Sequence, residues 1–147
     1  MEEELLTDAP RRFDIELFIV HPTMTAAEIS TMLKITPQIV HDVGEQRTAP
    51  KGTTLEGKYP DTRWRYSVRH ETRKQHFSDE LQAFVERLLP LKPAFAHLCS
   101  TGGSIQVIVQ FLGDGYLGDT IPARILALLA ELQLDLGIEC FVVPQSS

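Results

Sequence analysis

The chain has 147 residues and a formal net charge of -6; 43% of its residues are hydrophobic and 23% are charged. A chain of this length is expected to form a single domain whose core needs neither a metal nor a disulfide, and the acidic balance argues against a nucleic-acid-binding protein. No apolar run approaches the ~18 residues that cross a membrane, and the acidic start lacks a secretory pattern, so we expect a cytoplasmic protein without membrane contacts. Residues 1–11 are predicted to be a flexible acidic tail, and residues 12–144 a single α+β domain.

The first half of the chain predicts a strand, a helix and a long loop. Apolar residues alternate with polar ones from Phe13 to Ile19, as they do in a half-buried strand. Thr25 and Glu28 have the spacing of a capping box, which predicts that a helix starts there. Residues 45–61 are rich in Gly, Pro and Thr, and a loop of this length in a compact domain is usually mobile or functional.

The second half predicts two more helices and several strands. Ser78 is a candidate N-cap for an amphipathic helix that Pro90 ends. The stretches "AFAHLCS" and "SIQVIVQFLG", joined by "TGG", predict a hairpin of two strands. Thr120 is expected to cap the last helix, and "LGIECFVV" to form the last strand.

This order of elements predicts an α+β domain of two layers. Each predicted helix has one apolar stripe and therefore covers one face of a sheet. We expect a largely antiparallel or mixed sheet with about three helices packed on one face, and the strand–helix–strand ends of the chain invite a ferredoxin-like comparison.

Four stretches resemble a known family. They are "FDIELFIVHPTMTAAEISTMLKITP", "VGEQR" followed by a variable loop and "RWRYSV", "FSDELQAFVERLLPLKPAF", and "GDGYLGDTIPARILALLAELQLDLGIECFV". In these stretches, which together span about residues 13 to 143, the chain resembles the family catalogued as domain of unknown function 4279. The resemblance implies a small bacterial α+β domain with no established activity. Gly44, Trp64 and the ending from Leu134 to Ile138 match the family pattern, and none of them brings a known role.

The stretch "TRWRYSVRH" contains the only tryptophan and allows two interpretations. In an extended chain, Trp64, Tyr66 and Val68 share one side and the arginines share the other. The first interpretation places the indole side in the core and the arginine side in solvent. The second treats the strand as part of a binding surface.

A local excess of positive charge surrounds this strand. Residues 45–74 contain eight Lys or Arg against four Asp or Glu. A basic patch on an acidic protein can dock an anionic ligand or an acidic protein, although acids of the chain itself, such as Asp14 and Glu16, could also neutralise it. The candidate contact residues are Arg47, Lys51, Arg63, Trp64, Arg65, Tyr66 and Arg69.

Metal and catalytic sites receive little support from the sequence. His97 and Cys99 lie two apart on a predicted strand and would point the same way, but zinc needs three or four converging ligands. Ser100 and Thr101 flank glycines that a hairpin turn requires. We therefore predict no metal, no cofactor and no catalytic residues.

The second face of the sheet is expected to be apolar at one end. If no bulge shifts the register, this end could be covered by the loop of residues 45–61 or by a second copy of the chain in a homodimer. The residues of this end are Phe18, Val20, Phe141 and Val143.

The leading functional hypothesis is a non-catalytic binding or protein-interaction module that uses the basic strand and loop face. An immunity-protein-like role, in which the domain neutralises a partner by surface contact, would fit. The alternative is a small anionic-ligand-binding protein or enzyme with a pocket between the loop of residues 45–61 and the sheet.

Overall fold

The computed structural model describes residues 11–73, 76–113 and 118–141. The predicted tail, apart from its last residue, therefore lies outside the described residues. The described strands are β1 (Arg11–His21), β2 (Ile39–His41), β3 (Gln46–Thr48), β4 (Thr54–Lys58), β5 (Thr62–Thr72), β6 (Ser104–Leu112) and β7 (Asp135–Cys140). The described helices are α1 (Ala26–Leu33), α2 (Phe77–Leu88), α3 (Lys92–Ser100) and α4 (Ala123–Glu131), and a 3₁₀ turn (Leu89–Leu91) joins α2 to α3.

Five strands form one mixed sheet in the order β2-β5-β1-β6-β7. The pairs β2–β5, β5–β1 and β1–β6 are antiparallel, whereas β6 and β7 are parallel. β5 and β6 thus run parallel to each other with β1 between them, so β5, the α2–α3 segment and β6 form a split βαβ unit of the ferredoxin-like kind. Because the 3₁₀ turn joins α2 directly to α3, the four helices form three helical segments. The prediction of an α+β domain with a mixed sheet and about three helices is confirmed.

The core lies between the sheet and its helices, on the face that the alternation in β1 predicted. Phe13, Ile15, Leu17 and Ile19 are fully buried there. The register places Trp64 of β5 directly opposite Ile19. This face therefore takes the apolar side of each central strand, and the polar side faces away from the helices.

Helix α1 begins as its sequence predicted. The side chain of Thr25 accepts a hydrogen bond from the backbone N–H of Glu28 at 3.2 Å. The helix ends at Lys34, which adopts a left-handed conformation with φ 58° and donates its N–H to Ser30 O. The chain then turns back toward β2.

The predicted hairpin from residue 94 to 113 is wrong, because its first half is helix α3. Pro93 suits the first turn of a helix, where its missing N–H costs nothing. The glycines end this helix instead of forming a hairpin turn: Gly103 N–H donates to Leu98 O and Gly102 N–H to Cys99 O. These two bonds form a Schellman motif, which Gly102 allows with its φ of +102°.

Two predicted helix caps are also wrong. Ser78 lies inside α2, whose N-cap is His76, and its hydroxyl donates to Asp119. The N-cap position of α4 belongs to Pro122 rather than to Thr120. In both cases a nearby residue with extended backbone takes the N-cap position without a side-chain hydrogen bond.

Candidate interaction surfaces

The indole side of β5 belongs to the core. Trp64 is 0% exposed, and its Nε1 donates to Ser30 Oγ of α1 at 2.9 Å. The helix thus covers the indole and also satisfies its only polar atom. Trp64 is not available for contact with a partner in this structure, which supports the interpretation that it builds the interior.

The arginine side of β5 faces away from the helices, and acids of the same chain neutralise it. Arg63 Nε donates to Asp61 Oδ1 at 3.2 Å. Arg65 Nη1 donates to Glu16 Oε1 at 2.5 Å. Asp61 is two residues from Arg63 in the sequence, whereas the antiparallel register brings Arg65 and Glu16 together, since Glu16 is paired with Ser67, two residues from Arg65 on the same side of β5.

Arg69 has the most complete pairing of the three. Its Nε donates to Asp14 Oδ1 at 2.8 Å and its Nη2 to Asp14 Oδ2 at 3.1 Å, and the two residues are directly opposite in the register. The hydrogen bonds to Asp14 and the charge of Asp14 raise the pKa of Arg69. The three predicted arginine contacts therefore lie together but do not form a free basic patch.

The predicted apolar end of this second face is present, but most of it is covered. The registers of β1 with β5 and with β6 run without a shift, so Phe18, Val20 and Ile108 point to this face. The Arg65 guanidinium lies 3.8 Å above the ring centroid of Phe18, and Phe18 and Ile108 are only 9% and 4% exposed. Phe141 remains 52% exposed, and Val143 lies outside the described residues.

Glu16 shows how tightly this face is packed. It is only 6% exposed although it lies on the face of the sheet away from the described helices. Burial raises the pKa of its carboxyl group, and the charge and hydrogen bond of Arg65 oppose that rise. The ion pair between Arg65 and Glu16 is therefore packed into this face and is not a solvent-exposed surface pair.

The segment predicted as a long loop contains a two-stranded β-hairpin, formed by β3 and β4. All residues of both strands are exposed, so the hairpin does not cover the second face of the sheet. Its base is fixed by the ring of Tyr59, which stacks on His41 with the centroids 3.6 Å apart. Gly44 N–H also donates to Tyr59 O at 2.9 Å. The hairpin thus projects from a firm attachment at the end of β2.

The two predicted basic residues of this segment are both on the hairpin. Arg47 is in β3, where its Nη1 donates to Glu56 O at 3.4 Å, and Lys51 is in the turn. In the described part of the chain, no carboxylate forms an ion pair with Arg47, Lys51 or the neighbouring Lys58. These cations differ in this respect from the arginines of β5.

Tyr66 lies on the core side of β5 and is only partly buried, at the margin of the core. It stacks near Phe84 of α2, with the ring centroids 6.4 Å apart. The two rings line a groove of about 290 Å³ that Leu33, Ile35 and Leu88 also line. Tyr66 was predicted as a contact residue, and of the two aromatic candidates only Tyr66 borders an open space.

A second cavity of about 560 Å³ lies where α3 and α4 end and where β6 and β7 begin. Cys99, Ser104, Gln133 and Asp135 supply its polar side chains. Burial, and next the charge of Asp135, raise the pKa of the Cys99 thiol, which keeps it protonated and weakly nucleophilic. Neither cavity is lined by residues 45–61, so neither is the pocket expected between that segment and the sheet.

His21 is a buried polar group that the sequence did not single out. Its Nδ1 accepts hydrogen bonds from the N–H groups of Thr23 and Met24 at 3.1 and 2.9 Å, and its Nε2 lies 2.8 Å from Thr101 Oγ1. Because Nδ1 accepts, Nε2 carries the proton and donates to Thr101. Burial lowers the pKa of His21, followed by the charge of His97. The ring is therefore a neutral clamp between β1 and α3 rather than a general base.

The expected geometry of His97 and Cys99 is wrong, because both residues lie on helix α3 rather than on a strand. No group of three His, Cys, Asp or Glu residues that could hold a metal occurs within residues 11–73, 76–113 and 118–141. Both cysteines are free thiols. No described helix is long and apolar enough to cross a membrane.

Comparisons with known proteins agree with the resemblance seen in the sequence. No curated protein and no solved structure matches the chain. The family described as "Domain of unknown function (DUF4279)" matches residues 11–142, nearly the whole chain. The chain therefore belongs to this family, DUF4279.

Proposed function

We propose that the chain is a non-catalytic protein-interaction module that docks an acidic partner protein on the β3–β4 hairpin. The observation that carries this proposal is the contrast between two sets of cations. The arginines of β5 are paired with acids of the chain, whereas Arg47, Lys51 and Lys58 have no carboxylate partner among the described residues. Unpaired cations on a projecting hairpin are available to an acidic surface and can steer its approach.

The shape of the hairpin supports the same conclusion. A two-stranded hairpin is marginally stable on its own, and this one gains little from packing because both strands are exposed. Leu55 adds an exposed apolar side chain between the charged ones. Exposed loops on a rigid scaffold are common binding elements, and surface contact of this kind is how an immunity-like domain would neutralise its target in a reducing cytoplasm.

The alternative of a pocket for a small anionic ligand finds less support. The hairpin does not close over the sheet. The nearest histidine, His41, stacks on Tyr59, and burial lowers its pKa, which disfavours the charged form that would bind an anion. The homodimer through Phe18 and Val20 remains a prediction as well. It has less driving force than expected, because Arg65 already covers the ring of Phe18.

The test compares two double charge reversals that change the net charge equally. One is Arg47→Glu with Lys51→Glu on the hairpin, and the other is Lys92→Glu with Arg124→Glu on helices α3 and α4. Proteins captured from the native cell extract by the wild-type chain are purified, and their affinities are measured by calorimetry. We expect the hairpin variant to bind about tenfold more weakly and the helix variant to bind like the wild type. Equal binding by the wild type and the hairpin variant would refute the proposal.

A further inference from the structure

We propose that the open edge of β5 beside α2 binds an extended acidic segment of a partner protein as an added β-strand. This surface is distinct from the hairpin. The argument begins with the place where β2 stops pairing with β5. The last pair of residues is Ile39 with Arg65, and Gln38 N–H donates to Arg65 O at 2.9 Å. Pro37 precedes Gln38 and has no N–H to continue the ladder.

Gln38 extends the ladder by one more position with its side chain. Its Oε1 accepts from Ser67 N–H at 2.8 Å, and its Nε2 donates to Ser67 O at 2.9 Å. The amide thus imitates a residue of a paired strand. Beyond Ser67, no described strand other than β1 pairs with β5.

The open part of the edge presents backbone N–H and C=O groups that point outward, perpendicular to the strand. Arg65 and Ser67 bond toward β2, so the alternation of an antiparallel ladder turns the N–H and C=O groups of Arg69 and Glu71 the same way. No described residue bonds to the backbone of Arg69 or Glu71 on that side. A strand added here would find a template of donors and acceptors.

The groove lined by Tyr66 and Phe84 lies on the core side of β5 at Tyr66, three residues before Arg69 and about 10 Å from it along the strand. Side chains of an added strand would alternate between the two faces of the sheet. Those on the core side, at the end of the added strand near Gln38, would approach the groove of about 290 Å³, which Leu33, Ile35 and Leu88 make apolar. Charged side chains alone protect many edge strands from pairing, and such an edge has no need of an apolar groove beside it. Edge and groove together match the arrangement in which backbone bonds give affinity and a pocket selects alternate side chains.

The charges around the groove identify the chemistry of the occupant. Arg87 is the one charged residue that lines it, and Lys34 is exposed between the lining residues Leu33 and Ile35. On the other face, Asp14 neutralises Arg69, so the two cations at the groove carry the attraction for acidic side chains. The geometry favours a segment in which apolar residues alternate with Asp or Glu.

The test selects binders from a phage-displayed library of random heptapeptides and measures the affinity of the enriched peptides by fluorescence anisotropy. Arg69→Pro removes one N–H from the open edge and leaves pairing with β1 possible, because Arg69 bonds away from β1. Arg69→Ala is the matched control, since it also loses the ion pair with Asp14 but keeps the N–H. Arg87→Glu tests the groove, and Lys51→Glu on the hairpin is its control.

We expect enriched peptides with alternating apolar and acidic residues. Their affinity should fall about tenfold or more with Arg69→Pro and with Arg87→Glu, and change little with either control. Binding should slow hydrogen exchange at the amides of Arg69 and Glu71. Equal binding to Arg69→Pro and Arg69→Ala would overturn the proposal, as would the absence of enriched peptides. Slow exchange at these amides in the peptide-free protein would overturn it too, because the chain or a second copy would then already cover the edge.

Discussion

Strand β5 has two chemically different sides, and removing one side chain from each should have unequal effects on stability. Trp64 is 0% exposed, so Trp64→Ala leaves a large cavity in the core, with a typical cost of about 3–5 kcal/mol. The Arg63 side chain is 48% exposed and forms a surface ion pair with Asp61, so Arg63→Ala should cost about 1 kcal/mol or less. A domain of this kind has a free energy of unfolding of about 5–15 kcal/mol. Loss of the indole therefore removes a large share of it.

The cost of losing Trp64 has two parts that can be separated. The hydrogen bond from Nε1 to Ser30 Oγ is a neutral pair, whose net contribution is about 1 kcal/mol. A double-mutant cycle with Trp64→Phe and Ser30→Ala measures that coupling, since Ser30→Ala has little further effect once the N–H is gone. The remainder of the cost in Trp64→Ala is apolar packing under α1.

Urea unfolding followed by far-UV circular dichroism measures these changes. Fluorescence is unsuitable because Trp64 is the only tryptophan. With a denaturant slope of about 2 kcal/mol per M, Trp64→Ala should lower the midpoint by about 2 M and Arg63→Ala by about 0.5 M or less. Similar midpoints for the two variants, at unchanged slope, would refute the assignment of the indole to the core.

Two further predictions concern the clamp between β1 and α3. Burial lowers the pKa of His21 from 6.5, so the unfolded chain binds a proton before the folded chain does as the pH falls. The free energy of unfolding should therefore be constant above about pH 7 and decrease below about pH 6.5. Urea midpoints at pH 7.5 and 5.5 should differ less for His21→Gln than for the wild type. A Cβ at Gly103 would lie 2.8 Å from Leu98 O and 2.9 Å from His21 Cδ2. Gly103→Ala should therefore lower the free energy of unfolding by about 1–3 kcal/mol and the melting temperature by roughly 3–10 °C. The control Ser104→Ala should change neither. A wild-type melting temperature for Gly103→Ala would contradict the close approach.

Sequence patterns predicted the parts of the fold that local rules decide. The alternation in β1 assigned Phe13 and Ile19 to the core, because one face of a central strand must be buried. The capping box at Thr25 gave the start of α1, because the backbone N–H of Glu28 needs an acceptor that lies within the same turn. Neither inference depends on distant parts of the chain.

The failures have non-local causes or compete with a stronger local signal. In residues 94–100, apolar residues fit a strand or a helix equally well, and Pro93 at the first turn decided for α3. The pairing of Arg69 with Asp14 spans 55 residues and depends on the register of β1 with β5, which one sequence does not reveal. For this reason the sequence located a basic region but could not separate its paired cations from the unpaired ones.

The distribution of paired and unpaired groups also bears on the proposed binding surfaces. A partner that displaced Arg65 from Glu16 on the open face of the sheet would leave a buried carboxylate without its counterion, which typically costs about 3–5 kcal/mol. At the hairpin cations and at the backbone groups of Arg69, a partner would displace water and would break no described ion pair or backbone hydrogen bond. Both of these surfaces lie along the β2–β5 edge of the sheet, and Arg63 at the hairpin end is six residues from Arg69, or about 20 Å at the rise of an extended strand. Between them the edge of β5 is already paired with β2 and with the Gln38 side chain, so the two proposed surfaces are separate sites on one side of the sheet.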